Sequence, residues 1–203
     1  MSDDASPVEL HTERLVLTML PPSAAERMAE YQRDNRAHLQ PWSPPQPPGF
    51  YTAEFWQWRL DTNRVEYVDD VSLRLQLLQR DAVDGPVVGQ ISFTQYTRGP
   101  HQSCNLGYNI GHRFEGQGLM REALERAIEL AFGRLGFHRI AANYMPTNER
   151  SGALLRRLGF EVEGYARDYL YIAGAWRDHV LTARYSADSS PPGIRAVSTP
   201  SEH

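Results

Sequence analysis

The chain has 203 residues, of which 41% are hydrophobic and 23% charged, and its formal net charge is -4. This is enough for one domain with a full core, and a mild acidic balance argues against a general nucleic-acid binder, which carries a basic excess. A single cysteine, Cys104, excludes an internal disulfide framework and a cysteine-based metal cluster.

In chain order, residues 1–8 are small, acidic and polar and read as a flexible N-terminus. No basic stretch followed by an apolar one marks a signal peptide there. No apolar run approaches the ~20 residues that span a bilayer, so a cytoplasmic location without a membrane partner is expected. HTERLVLTML alternates toward Leu15, Leu17 and Met19 and predicts one strand. SAAERMAEYQRDNRAHL predicts a helix, with Ser23 as its N-cap and Pro41 as its stop. Residues 41–48 then hold five of the fourteen prolines, too many for a helix or a central strand. This segment is either a stiff loop packed on its own domain or a ligand for a partner's groove. TAEFWQWRLDTNRV predicts a second helix with Phe55, Trp58 and Leu60 inward.

VSLRLQLLQRD and PVVGQISFTQY predict antiparallel strands around the turn Asp84-Gly85-Pro86. CNLGYNIG follows as a strand, residues 119–135 as a helix with Gly136 at its C-cap, HRIAANYM as a strand and NERSGALLRRLG as a helix. Two further strands flank Ala173-Gly174, and residues 187–203 read as a disordered tail behind a domain spanning 9–186. The fold class is therefore mixed α/β, with a mostly antiparallel sheet and one parallel section. That section is the 104–143 unit, where a helix crosses between strands.

The helix over 119–135 carries a complete apolar stripe, and its charged face, including an expected Glu122–Arg126 pair, reads as solvated. Its start is unusual. The first turn of a helix has unpaired N–H groups and a partial positive charge. Where Ser or Asp would normally stand, the chain has Gly116, Gln117 and Gly118. Absent side chains let an anion reach the backbone, and Arg113 adds a cation; alternatively, the glycines serve only a tight loop of positive φ. A P-loop would need Lys and Ser/Thr where Leu119 and Met120 stand, and a dinucleotide fingerprint would need a small residue at Arg121.

A strand, R-x-x-G-x-G, a long amphipathic helix, a strand and an Asn opening another helix together resemble the GCN5-related N-acetyltransferase (GNAT) superfamily. TERLVLTML, LQPW, GYNIGHRFEGQGLMREAL, HRIAANYMPTNERSGALLRRLGFEVEGYARDYL and WRDH extend the resemblance to its RimJ-like ribosomal-protein-alanine N-acetyltransferases, over roughly residues 9–185. The resemblance implies acetyl-CoA as co-substrate, with direct transfer to a primary amine. The implied acceptor is the N-terminal Ala or Ser of a ribosomal protein, such as the small-subunit protein S5. It implies that Ile110 pairs its backbone with the pantetheine arm where two parallel strands part after residues 110 and 143. Arg113, Gly116, Gln117, Gly118, Leu119 and Met120 would hold the pyrophosphate, Asn148 would bond the arm near its end, and Ser151 would sit by the sulfur.

Many members of the superfamily carry a Tyr acid seven residues after that Asn, where this chain has Leu155. Ser151 is then the implied replacement, or simply a first-turn helix residue. Where some Rim-type relatives place a Glu base, alignment puts Leu170, with Asp168 two residues away on the same face. Glu115 and His179 are further options, as is no base at all, since an α-amine of pKa ~8 is partly neutral unaided. Trp42, Tyr165 and Tyr169 would wall the acceptor slot. No two histidines have metal-ligand spacing, so no metal is expected; monomer and homodimer both remain open. Two other functions stay in play: acetylation of a small amine, and a non-catalytic acyl-CoA-binding module.

Overall fold

The computed structural model describes residues 8–188. The expected tail at 189–203 and most of the expected N-terminal segment, residues 1–7, lie outside the described residues. Val8 does not fit that segment: it is fully buried in the main core.

The first expected strand is two, because the chain turns at Thr12–Arg14. β1 (Glu9–His11) and β2 (Leu15–Thr18) form a hairpin, tightened where Thr12 N–H donates to the Leu15 carbonyl. The first helix also divides. Ser23 lies in a 3-10 turn and gives no cap; α1 (Ala25–Asp34) is followed by a short α2 (Arg36–Leu39). The break falls at Asn35, whose amide nitrogen donates to the Tyr31 carbonyl while its oxygen accepts from His112 N–H. A buried Asn that bonds backbone on two sides competes with helix continuation.

α3 (Ala53–Val68) is capped by Thr52, whose hydroxyl accepts from Phe55 N–H. Trp58 is not inward as expected: it is 57% exposed, and Trp56 is buried in its place beside Leu60. The Trp56 indole N–H donates to the Phe50 carbonyl, which draws that ring inward under the Pro-rich loop.

β3 (Leu73–Gln79), β4 (Gly89–Thr97) and β5 (Ser103–Ile110) continue the antiparallel sheet. α4 (Leu119–Phe132) crosses to β6 (Arg139–Ala141), the parallel neighbour of β5. α4 ends at Phe132, earlier than expected, and Leu135 N–H turns back to the Leu130 carbonyl. α5 (Glu149–Arg157), β7 (Glu161–Ile172) and β8 (Ala175–Tyr185) complete the order β1-β2-β3-β4-β5-β6-β8-β7, in which β5–β6 is the parallel pair.

The sheet is covered on two faces. Leu77 and Leu78, neighbours on β3, enter different cores: Leu77 joins that of α4, and Leu78 that of α1 and α3, as period-two alternation requires. α5 closes at Gly159, where the expected helix ends. Gly159 adopts φ 77, its N–H bonds the Arg156 carbonyl, and Phe160 N–H bonds the Leu155 carbonyl. This pair of bonds closes a helix on a glycine. Among the described residues, no helix is long and apolar enough to cross a membrane.

Candidate active site

The parallel pair holds register only from Ser103–Arg139 to Asn105–Ala141. The strands therefore part after residues 105 and 141, earlier than the expected 110 and 143. β6 leaves to follow β8, where Tyr144 and Val180 exchange backbone bonds. β5 stays paired with β4 up to Ile110, so its far edge is open from Leu106 onward. Gly111 N–H points to β4, where it meets the Val88 carbonyl. Backbone groups of successive residues alternate sides along a strand, which leaves the N–H and C=O of Ile110 and Tyr108 facing the open edge.

A cavity of about 790 Å³ lies along that edge. Of the residues singled out from the sequence, Trp42, Ile110, Gly116, Gly118, Leu119, Met120, Asn148 and Ser151 line it. Arg113, Gln117, Tyr165, Asp168 and Tyr169 are not part of the lining.

The loop before α4 shows why its glycines are needed. Gly116 and Gly118 have φ 73 and 78, the left-handed region that other residues rarely adopt. A side chain at Gly116 would meet nothing within 4 Å. Positive φ is therefore what calls for glycine here, and the space beside Gly116 is open. α4 starts on Gly118 without a side-chain cap.

The loop is held from behind. The guanidinium of Arg14 donates to Glu122 at 2.7 Å and to the Gln117 carbonyl at 2.9 Å, and Arg14 N–H donates to Glu122 at 2.8 Å. Glu122 thus pairs with Arg14 across the molecule, not with Arg126 as expected. Arg126 takes Glu129, and Arg121 takes Glu125. Desolvation acts to raise the Glu122 pKa, but hydrogen bonds from Thr12 and Arg14 outweigh it and hold the carboxyl below its usual range. The Gln117 side chain donates to the Arg113 carbonyl at 2.9 Å, bracing the loop from within.

Charge along the cavity is uneven. Arg121, Arg150 and Arg157 line it, against one carboxylate, Glu115. Glu115 is engaged by Arg150 at 2.8 Å and His38 at 3.5 Å, so its oxygens are less available as a base than the sequence suggests. A polyanion suits this wall.

Asn148 caps α5 by accepting from Ser151 N–H at 3.1 Å. The Tyr144 ring packs close on this turn: a side-chain carbon at Gly152 would stand 2.6 Å from it. Ser151 Oγ meets the Tyr108 hydroxyl at 2.7 Å. Burial pushes the Tyr108 phenol up to about 12, partly offset by its hydrogen bond with Ser151. Sequence reasoning missed Tyr108, although alternation from Ile110 places it on the same face of β5. Cys104 is a core residue, buried and pushed up to about 12 by desolvation.

The hairpin of β7 and β8 forms a second polar cluster. Tyr165 hydroxyl and Asp168 N–H donate to the two oxygens of Asp178, at 2.6 and 2.9 Å. β7 is bulged between Ala166 and Leu170, and Asp168 has φ 48. The bulge breaks the alternation that would have put Asp168 and Leu170 on one face. Tyr169 reaches the parting strands: its hydroxyl accepts from Asn143 at 3.1 Å. His179 is buried, its ring beside Tyr169 and its Nδ1 3.0 Å from the Arg177 carbonyl. Among the described residues, no group of three His, Cys, Asp or Glu could hold a metal.

An open strand edge leading to an uncapped, glycine-led helix is the frame expected from the sequence, and the family described as "Acetyltransferase (GNAT) domain" matches residues 14–161. The chain belongs to the GNAT acetyltransferase family. This acetyltransferase is 43% identical to the [Ribosomal protein uS5]-alanine N-acetyltransferase of Escherichia coli, over 91% of this chain and 94% of that protein. The ribosomal-protein-S5-alanine acetyltransferase structure from Vibrio fischeri superposes with a TM-score of 0.85 at 34% identity, covering 91% of this chain and all of that one. Mycobacterium smegmatis RimJ in complex with CoA-disulfide gives a TM-score of 0.82 at 27% identity, over 90% of this chain and 89% of that one.

Proposed function

We propose that this acetyltransferase moves acetyl from acetyl-CoA to the α-amine of a protein N-terminus, with alanine-first ribosomal protein uS5 as the leading acceptor. The observation that carries this reading is the 43% identity to the uS5-alanine enzyme, sustained over nearly the full length of both chains.

The cavity's chemistry fits the co-substrate. Amides at the start of α4 suit a diphosphate, and Arg121 on the same cavity adds a cation. The open edge at Ile110 suits an amide-containing arm, which can add to a sheet edge as a peptide does. When bound, acetyl-CoA supplies an activated acyl group and a thiolate leaving group. The chain's own residues then orient and stabilise. Ile110 N–H, on the open edge, serves the carbonyl oxygen as charge develops there. Asn148 holds the arm near its end, and the Ser151 hydroxyl donates to the sulfur as the C–S bond breaks. The amine's proton passes to water. Trp42 and Tyr169 flank the amine's approach, and Asp168, on the hairpin, attracts its ammonium form before it deprotonates. Much of the rate then comes from alignment of amine and thioester.

The test is mass spectrometry of full-length enzyme with acetyl-CoA and peptides that start Ala, Ser or Met, beside a panel of polyamines and amino acids. The chain contains no lysine, so the enzyme offers no ε-amine to confuse the readout. Acetylation of the α-amine of an Ala-first uS5 peptide is expected. Turnover confined to small amines, or none at all, overturns the reading.

A further inference from the structure

Tyr108 and Ser151 face each other across the gap opened by β6. Tyr108 stands on the stretch of β5 whose far edge is open, and Ser151 in the first turn of α5; both line the cavity. Their oxygens are 2.7 Å apart, the usual separation for an O–H···O bond. The Ser151 carbonyl is 3.5 Å from the same phenol oxygen, too long to compete. Ser151 Oγ is therefore the nearer acceptor for the phenolic proton. The Tyr108 ring packs on the main core, and the Ser151 backbone is pinned by the Asn148 cap, so neither partner is free to drift.

A serine hydroxyl is a rotor with one proton and two lone pairs. A hydrogen bond donated to its oxygen restricts that rotor and turns its own proton away from the donor. Ser151 itself lines the cavity, so the cavity is open to that proton.

We propose that Tyr108 is a positioning residue for acetyl transfer: by donating to Ser151 Oγ it aims the serine's proton at the departing sulfur. The proposal rests on the reading above that Ser151 meets the sulfur. In this step the C–N bond forms and the C–S bond breaks. Sulfur leaves with the electron pair as a thiolate, held by the Ser151 O–H and then protonated from water. Burial keeps the phenol protonated through the neutral range, so it works as a fixed donor and not as the acid itself.

The experiment compares Tyr108→Phe, Ser151→Ala and the double variant in the full chain, with acetyl-CoA and an Ala-first peptide. CoA affinity by calorimetry and a thermal melt verify folding. Each single variant should lower kcat about tenfold while KM for acetyl-CoA stays within about twofold, and the double variant should be no worse than Ser151→Ala. Wild-type kcat in Tyr108→Phe overturns the proposal, as do losses that multiply in the double variant, since the phenol would then act independently. Wild-type kcat in Ser151→Ala overturns the placement of Ser151 at the sulfur, and with it this role for Tyr108, while leaving acetyl transfer intact. The wild-type enzyme gives a further check that needs no variant: kcat should show no alkaline limb below about pH 11. A limb at lower pH that disappears in Tyr108→Phe makes the phenol the acid and contradicts positioning.

Discussion

The loop before α4 and the β7–β8 hairpin stand at the two ends proposed for co-substrate and acceptor, and they are built differently. At the loop, the recognition groups are main-chain amides. Two glycines of positive φ expose them, and Arg14 and Glu122 brace them from behind. At the hairpin, the groups are mostly side chains: Tyr165 and the Asp168 amide on the bulged β7 bond Asp178 on β8, and Tyr169 reaches to Asn143. A site made of backbone is set by a short local sequence. A site made of side chains on a strand depends on register, and one inserted residue redirects it.

The comparison breaks most visibly at the glycines. Gly116→Val puts a β-branched residue at φ 73 and into the open space beside the loop, and should raise the CoA dissociation constant at least tenfold, ~1.4 kcal/mol by calorimetry. Gly174, at φ 81 in the hairpin turn, also opens onto empty space. Gly174→Ala should cost a comparable backbone strain of about 1 kcal/mol in a melt while CoA affinity stays unchanged. Equal affinity losses in both variants would reduce the loop's role to general stability.

Next in size is the brace. Arg14→Gln removes the bonds to Glu122 and to the Gln117 carbonyl and should weaken CoA binding about threefold, with roughly 1 kcal/mol of stability lost for a half-exposed ion pair. The pH dependence follows from the same pair. Glu122 is held below its ordinary pKa in the folded chain. Its stabilisation is therefore fully present above the unfolded value of about 4.3 and is lost as pH falls through the lowered folded value. Acid titration of stability should lose that component in Glu122→Gln. The smallest effect is expected at the hairpin. Asp168→Asn should raise KM for an Ala-first peptide about twofold, the worth of one exposed charge contact, and leave CoA affinity untouched.

The same contrast explains what could be read from the sequence. Gly116, Gly118 and the stripe of α4 were legible because helix period and glycine conformation are local properties. The end of α5 at Gly159 was legible for the same reason. Arg14–Glu122 was not, since a hairpin turn more than a hundred residues away supplies the arginine. The exchange of Trp58 for Trp56 inside α3 turned on one indole bond to the Phe50 carbonyl, a tertiary detail. The parting of β5 and β6 came earlier than expected because β6 is drawn to β8, a pairing that strand composition does not reveal. Tyr108 was within reach, since it shares the face of Ile110, but its partner Ser151 is brought by a different element.

The most direct measurement is a crystal structure of the full chain with CoA. The diphosphate oxygens should lie within about 3 Å of backbone N–H groups between Gly116 and Met120, with Arg14 still bound to the Gln117 carbonyl behind them. A diphosphate held instead by Arg150 and Arg157 alone, with those amides facing protein acceptors, would contradict the account.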